Sequence, residues 1–191
     1  MRAVMLAMQP KWCEKIANEE KTIEVRKTAP KQIPFKVYIY CTNTPQLHHL
    51  YDLRHVNGGT GKIRLGCVQH NKYSLVAAGW LNGKVIGEFV CDSADWMSIR
   101  DCDKACMTLK DAIDYGKGKK LYAWHISELK IYDEPKELHE FKIECPKTSA
   151  KRDDCAICPF EYYEPGARVP SCDAYLKRPP QSWQYVEELE E

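Results

Sequence analysis

The sequence lacks both an excess of one charge and a long apolar run, and each absence limits what the protein can be. The 28 Lys and Arg residues nearly balance the 27 Asp and Glu residues, for a formal net charge of +1. The total charge therefore does not predict a nucleic-acid partner. No stretch approaches the ~18 consecutive apolar residues of a membrane-spanning helix, so we expect no association with a membrane.

The N-terminus also lacks the features of a signal peptide. It begins MRAVMLAMQPKW, with one Arg and a short apolar run. It has no long apolar segment followed by a cleavage site of small residues. We therefore expect a soluble, cytoplasmic protein. In that reducing compartment, clustered cysteines are more often metal ligands than disulfides.

Acidic residues are missing from the 34 residues between Arg54 and Gly87. Basic residues and histidines continue through this window: Arg54, His55, Lys62, Arg64, His70, Lys72 and Lys84. Such a stretch is typical of a polyanion site but also of a solvated loop. The sequence leaves both interpretations open.

Local patterns predict several short elements near the N-terminus. The apolar run at residues 2–8 predicts a buried strand, and Pro10 is a favourable first residue for the helix that follows. Asn18 is expected to end this helix in the left-handed conformation. Residues 22–28 then alternate as in a half-buried strand, and residues 35–42 contain strong β formers.

The order of elements predicts an α+β protein. Several strands with two short helices, and no regular strand–helix alternation, favour a small β-barrel over a doubly wound sheet. Thr108 is expected to cap a short helix over residues 109–116. At the C-terminus, residues 182–188 predict a last edge strand, because the preceding Pro-Pro pair blocks a helix.

The segment NEEKTIEVRK, residues 18–27, collects unusual chemistry in a few residues. Thr22, Glu24 and Arg26 share one face of the predicted strand, and Lys21 lies where the strand begins. Glu24 can accept a hydrogen bond from an amine, while Arg26 offers a planar fork for a carbonyl or phosphate. The alternative is an ion-pair network on a hydrated surface.

The same segment resembles the ASCH signature G-x-K-x-x-E-x-R at a helix-to-strand junction. Lys21, Glu24 and Arg26 match it, whereas the glycine position holds Glu19, so we expect the neighbouring Asn18 to make the left-handed turn. Four further similarities follow in order: FKVYIYCT, GKVIGEFVCD, LYAWHISELKIYDEPKEL and LKRPPQSWQYVEEL. The match covers roughly residues 1–140 and is most similar to Firmicute or prophage-associated members.

The resemblance implies a PUA-like barrel with two or three short helices and a cleft that binds RNA or a modified nucleotide. Lys21, Thr22, Glu24 and Arg26 would then bind the nucleotide. The alternative is a hydrolase acting on an acylated nucleoside or on RNA, as an amidohydrolase or a metal-dependent ribonuclease, with Lys21 and Glu24 as catalytic candidates. A third possibility is a protein-interaction module that uses the barrel as a scaffold.

The deacylating members of that family differ from this sequence at two of three catalytic positions. They use a Lys, a Thr three residues later and a Glu before the second helix. Lys21 matches the Lys, but Glu24 occupies the Thr position and the Glu position falls near Ala105. A hydroxyl nucleophile is therefore missing from the expected place, and we do not transfer this activity.

Cysteines near the C-terminus predict a structural zinc site. Cys145, Cys155, Cys158 and Cys172 follow the order C-x9-C-x2-C-x13-C in a loop-like segment that has little core of its own. Free thiols, and redox or disulfide use, are the alternatives, and His139 and Asp173 are spare ligand candidates. We therefore divide the chain into a barrel at 1–140 and a cysteine-rich extension with the closing strand at 141–191.

The remaining candidates are weaker. Four carboxylates could assist catalysis, but they are also typical loop and cap residues: Asp92, Asp95, Asp101 and Asp103. His125 follows Trp124 within a predicted strand, where a core or pocket-edge role is the more usual one.

Overall fold

The computed structural model describes residues 2–43, 48–55, 61–67, 80–143 and 174–189. Its elements follow the order β1 (Arg2–Met8), α1 (Pro10–Ala17), β2 (Ile23–Arg26), β3 (Phe35–Cys41), β4 (His48–Asp52), β5 (Ile63–Cys67), β6 (Val85–Cys91), β7 (Ala94–Trp96), α2 (Asp101–Lys104), α3 (Leu109–Gly116), β8 (Tyr122–His125), β9 (Ser127–Lys136), a 3-10 helix (Leu138–Glu140) and β10 (Trp183–Glu187). The α+β class is confirmed. Within these residues, no helix has the length and hydrophobicity needed to span a membrane.

A five-stranded sheet in the order β10-β1-β3-β6-β9 forms the main layer. The pair β1–β3 is parallel, and the other pairs are antiparallel. The predicted last strand is confirmed as β10, which lies at an edge beside β1. The largest core packs on one face of this sheet and includes Leu6, Ile39, Phe89 and Trp124.

A three-stranded sheet in the order β2-β8-β7 continues from the main one. β6 passes into β7 across two residues, and β8 passes into β9 across Ile126 alone. Two peptide hydrogen bonds hold this corner, from His125 N to Ser93 O and from Ile126 N to Thr22 O. One long bent hairpin therefore belongs to both sheets and fixes the angle at which β2 approaches the main sheet.

The predicted closed barrel is not what the described strands form. They lie in three separate sheets, and no backbone ladder joins β2 to β1 or β10 among them. Side chains span this gap instead: Arg26 Nη2 donates to Ala7 O at 3.0 Å, and Trp183 Nε1 donates to Thr28 Oγ1 at 3.0 Å.

Helix α3 begins as the sequence predicts. Thr108 Oγ1 accepts from Asp111 N at 3.1 Å, and the Asp111 carboxylate accepts from Thr108 N at 3.1 Å. This capping box satisfies two peptide groups that would otherwise lack partners at the helix start. Helix α3 packs on the three-stranded sheet through a small apolar cluster that contains Ile23, Val25 and Ala112.

Candidate functional site

The turn that leads into β2 differs from the prediction at one residue. Asn18 has φ −97°, whereas Glu19 has φ 60° and takes the left-handed conformation. The Asn18 amide is used elsewhere, since its Nδ2 donates to Ile63 O at 2.8 Å and its Oδ1 accepts from Ile63 N at 3.2 Å. The left-handed residue is therefore the one at the signature's glycine position, although it is not glycine.

The structure brings Lys21, Glu24 and Arg26 together as one chain of charges. Glu24 lies between the two cations, with Oε2 at 3.4 Å from Lys21 Nζ and Oε1 at 2.9 Å from Arg26 Nη2. The side chains of Lys21, Glu24 and Arg26 are only 4%, 7% and 11% exposed. This Lys21–Glu24–Arg26 cluster is consequently not an ion-pair network on a hydrated surface.

Lys21 is held from three sides. Its Nζ donates to Ala105 O at 2.8 Å, pairs with Glu24, and lies 5.1 Å from the ring centroid of Trp12. Burial lowers the pKa of Lys21, and the neighbouring Glu24 carboxylate offsets part of that effect. Residue 105 thus contacts Lys21 through its peptide carbonyl.

The segment that follows α2 forms the wall against which Lys21 packs. Besides the Ala105 carbonyl, Lys104 O accepts from Thr22 N at 2.9 Å, and Cys106 Sγ donates to Glu20 O at 3.2 Å. Thr22 therefore contacts this wall through its peptide N–H, and its side chain is half-buried. The sequence offered no signal for these contacts, because they join segments more than 80 residues apart.

Arg26 carries the remaining donors of the cluster. Nη2 bonds to Ala7 O, and Nη1 makes a long contact of 3.4 Å to Ser182 Oγ. Its Nε is buried without an acceptor among the described residues, and so is the indole Nε1 of Trp124. Trp124 stands opposite Glu24 in the β2–β8 ladder. The N–H groups of Arg26 and Trp124 are therefore available to an acceptor oxygen of a ligand. They belong to the surroundings of a site that contains two cations and one anion.

The four other carboxylate candidates do not join this cluster. Among the described residues, Asp92, Asp95, Asp101 and Asp103 make no hydrogen bond or ion pair with it. Asp101 instead accepts from the Ser98 peptide N–H at 2.7 Å, as expected of a cap residue. Asp92 pairs with His125, and this hydrogen bond lowers the pKa of the Asp92 carboxyl.

His125 lies in a more exposed position than the sequence suggested. Its Nδ1 is 2.7 Å from Asp92 Oδ1, and both side chains are nearly half exposed, at 47% and 46%. The carboxylate can fix the imidazole tautomer, which leaves Nε2 on the outer side of the ring. This pairing depends on the corner of the bent hairpin, which the local sequence does not reveal.

The predicted zinc ligands Cys145, Cys155, Cys158 and Cys172 lie outside the described residues. Within the described part of the chain, no group of three or more His, Cys, Asp or Glu residues could hold a metal ion. Five described cysteines are free thiols: Cys13, Cys41, Cys91, Cys102 and Cys106. All of these are buried except Cys106, which is half-buried. The zinc site therefore stays a prediction.

A cavity of about 430 Å³ lies on the opposite face of the main sheet and was not predicted. Tyr132 Oη donates to Glu88 Oε2 at 2.6 Å in its wall, and Lys36 Nζ lies 3.6 Å from Glu88 Oε1 and 3.2 Å from Glu188 Oε1. Burial raises the pKa of Tyr132. The lining contains three lysines and three carboxylates, so the cavity shows no excess of either sign that would select a ligand: Lys36, Lys130, Lys136, Glu88, Asp133 and Glu134.

Comparison with known structures identifies the fold. The crystal structure of ASCH from Zymomonas mobilis matches with a TM-score of 0.50 and 13% identity, over 97% of this chain and 88% of that chain. Crystal structures of two single-site mutants of the same protein match at 13% identity, with TM-scores of 0.50 and 0.51 over 97% of this chain and 91% and 89% of theirs. No protein-family model matches the sequence, and no curated protein is significantly similar to it. The predicted ASCH fold is confirmed, and at this identity the likeness concerns the fold alone.

Proposed function

We propose that this protein binds RNA and recognises one nucleotide of it at the Lys21–Glu24–Arg26 cluster. One observation carries the proposal: two cations share one buried carboxylate while the N–H groups of Arg26 and Trp124 lack acceptors among the described residues. A base carbonyl or a phosphate supplies the acceptor oxygens, and a phosphate also supplies the negative charge that this arrangement favours. The ASCH-type fold is consistent with such a ligand.

In this proposal Glu24 accepts from a base amine, and the outermost contact to the ligand is made by Arg26. It is the most exposed of the three, and its weak contact to Ser182 at 3.4 Å is the easiest to exchange. Lys21 and Glu24 hold the guanidinium in place from the interior, because Lys21 is anchored on Ala105 O. Thr22 adds a half-buried hydroxyl beside Lys21.

Glu24 gives the cluster its selectivity between bases. A carboxylate only accepts hydrogen bonds, so it favours an exocyclic amine over a carbonyl at the same position. Glu24→Gln keeps one acceptor and adds a donor. We therefore expect this variant to change the order of preference among bases more than it changes the overall affinity.

The experiment is a titration of short single-stranded RNAs and modified nucleosides against the wild type and Glu24→Gln. Glu20→Gln is the matched control, since Glu20 is close by in sequence but 44% exposed in a surface pair with Lys15. Circular dichroism verifies that each variant is folded. An unchanged order of preference in Glu24→Gln, together with unchanged affinity, would contradict the proposal.

The pair of Asp92 and His125 favours one alternative, a hydrolase acting on RNA. An imidazole oriented by a carboxylate is a suitable general base, and here it is nearly half exposed. Incubation of labelled RNA with the wild type and with His125→Ala tests this alternative. Cleavage that the substitution abolishes would establish the hydrolase, whereas intact RNA in both samples would exclude it.

A further inference from the structure

The three-stranded sheet carries a row of aromatic and basic side chains that leads outward from the cluster. Arg26 stands opposite Tyr122, and Tyr122 stands opposite Trp96, so these three residues share one face of the sheet. The rings of Trp96 and Tyr122 lie 4.3 Å apart at an angle of 32°. Trp96 is 54% exposed, so a large indole reaches the solvent at the outer end of the row.

A lysine lies over this outer end. Lys120 Nζ lies 5.0 Å from the ring centroid of Trp96, whereas Lys27 Nζ lies 4.9 Å from that of Tyr115 in α3, on the helix-covered side of the sheet. Lys117 and Lys119 belong to the same turn as Lys120. None of the four lysines forms an ion pair with a carboxylate of the described residues.

Carboxylates are directed away from this face. Asp95, the neighbour of Trp96 in β7, points to the opposite side of the sheet because successive strand residues alternate. Among the residues paired across β2, β8 and β7 on the Trp96 face, the single carboxylate is Glu24, which is already paired with Lys21 and Arg26. The outer end of the row is therefore positively charged and aromatic.

We propose that the row Arg26–Tyr122–Trp96 is the path of a single-stranded RNA, in which a base next to the recognised nucleotide stacks on Trp96. Lys120 and its neighbours in the turn contact the phosphates on either side of that base. This inference rests on the proposed function, and it adds that the ligand is an oligonucleotide and not a free nucleoside. Stacking on an exposed ring tolerates any base, so the subsite supplies affinity while the cluster supplies selectivity.

The test compares a fluorescein-labelled RNA octamer with a mononucleotide, using the wild type, Trp96→Ala, Trp96→Phe and Trp80→Ala. Trp80 is the matched control, since it is 52% exposed but stacks on His49 in another part of the fold. We expect Trp96→Ala to bind the octamer about 5- to 150-fold more weakly, the scale of one lost base stack. Trp96→Phe and Trp80→Ala should bind it within about threefold of the wild type, and mononucleotide affinity should not change in any variant.

The outcomes separate this inference from the proposed function. If Trp96→Ala binds the octamer as tightly as the wild type while Arg26→Ala binds it more weakly, the stacking subsite is wrong and the proposed function stands. If Trp96→Ala weakens octamer and mononucleotide equally, Trp96 acts only by supporting the fold, and the subsite is again wrong. If the wild type binds no RNA, both are wrong.

Lys120→Ala gives an independent measurement. Each phosphate contact releases counterions, so the slope of log affinity against log salt depends on the number of contacts. Loss of one contact should make this slope shallower by about 0.7 for the single-stranded octamer. An unchanged slope would contradict a phosphate contact at Lys120.

Discussion

Glu24 is the residue on which the candidate site depends. Its carboxylate is nearly fully buried between two cations that are themselves buried. Removing one member of such a set leaves a charge without its partner in a poorly solvated place, which costs about 3–5 kcal/mol in proteins. The arrangement therefore requires all three residues.

The buried ammonium of Lys21 predicts a pH dependence of stability. Its pKa is lowered in the folded state, so between that pKa and the ordinary value near 10.5 the unfolded chain binds more protons than the folded one. Stability from this group therefore rises with pH in that window. We expect the unfolding free energy of the wild type, relative to Lys21→Met, to increase toward pH 10.5.

Urea unfolding at several pH values between 7 and 10.5 measures this difference. The subtraction of Lys21→Met removes the contributions of groups that both proteins share. A difference that stays flat or falls over this range would show that Lys21 is not the desolvated ammonium described above.

Glu19 predicts a stabilising substitution. A left-handed conformation costs a residue with a side chain about 1–2 kcal/mol, whereas glycine adopts it freely but loses more backbone entropy on folding. We expect Glu19→Gly to raise the unfolding free energy by up to about 1 kcal/mol. Asn18→Gly is the matched control and should lower it, because Asn18 has φ −97° and bonds twice to Ile63. The reverse order of the two variants would contradict this description of the turn.

At the scale of elements, the bent hairpin of β6–β7 and β8–β9 positions β2. The two long strands pack closely where Gly87 faces Ile131. A Cβ at Gly87 would lie 2.5 Å from Lys130 O and 3.0 Å from Ile131 Cα, both backbone atoms. The ladder also shifts register on both sides of this pair, which is typical of a strand that bends.

Gly87→Ala should therefore be destabilising. The new methyl group forces the backbones apart, and such overpacking typically costs about 1–3 kcal/mol. Gly116→Ala is the control, because a Cβ there meets Leu121 side-chain atoms at ordinary distances of 3.6–3.8 Å. Thermal unfolding of both variants measures the effect, and equal melting temperatures would show that the strands can separate at Gly87 without cost.

The elements themselves could be predicted where the signal is local. The alternation at residues 22–28 predicts β2, and the same alternation predicts that Glu24 and Arg26 share a face. The contacts that complete the site could not be predicted, since Lys21 bonds to a residue 84 positions away and Arg26 to one 156 positions away. The failed barrel prediction has the same origin, because closure depends on how β2 meets β1 and β10.

For the whole molecule, we propose that the cysteine-rich segment binds one zinc ion through Cys145, Cys155, Cys158 and Cys172. Four thiolates suit tetrahedral zinc, and a metal would order a segment that is poor in core residues. Protein purified under reducing conditions should contain about one zinc per chain. Chelation should leave the β-sheet circular dichroism largely intact, and metal analysis that finds no zinc would contradict the proposal.

The central claim is that Arg26 contacts RNA, and equilibrium titration of a labelled single-stranded RNA against Arg26→Ala tests it most directly. Arg26→Lys keeps the charge without the fork, and Arg100→Ala is the control at an exposed arginine. We predict that Arg26→Ala loses ~1.5–3 kcal/mol of binding free energy, the scale of a hydrogen bond to a charged group. Arg26→Lys should recover only part of this loss, and Arg100→Ala should bind as the wild type does. Folded Arg26→Ala protein that binds the RNA as tightly as the wild type would contradict the claim.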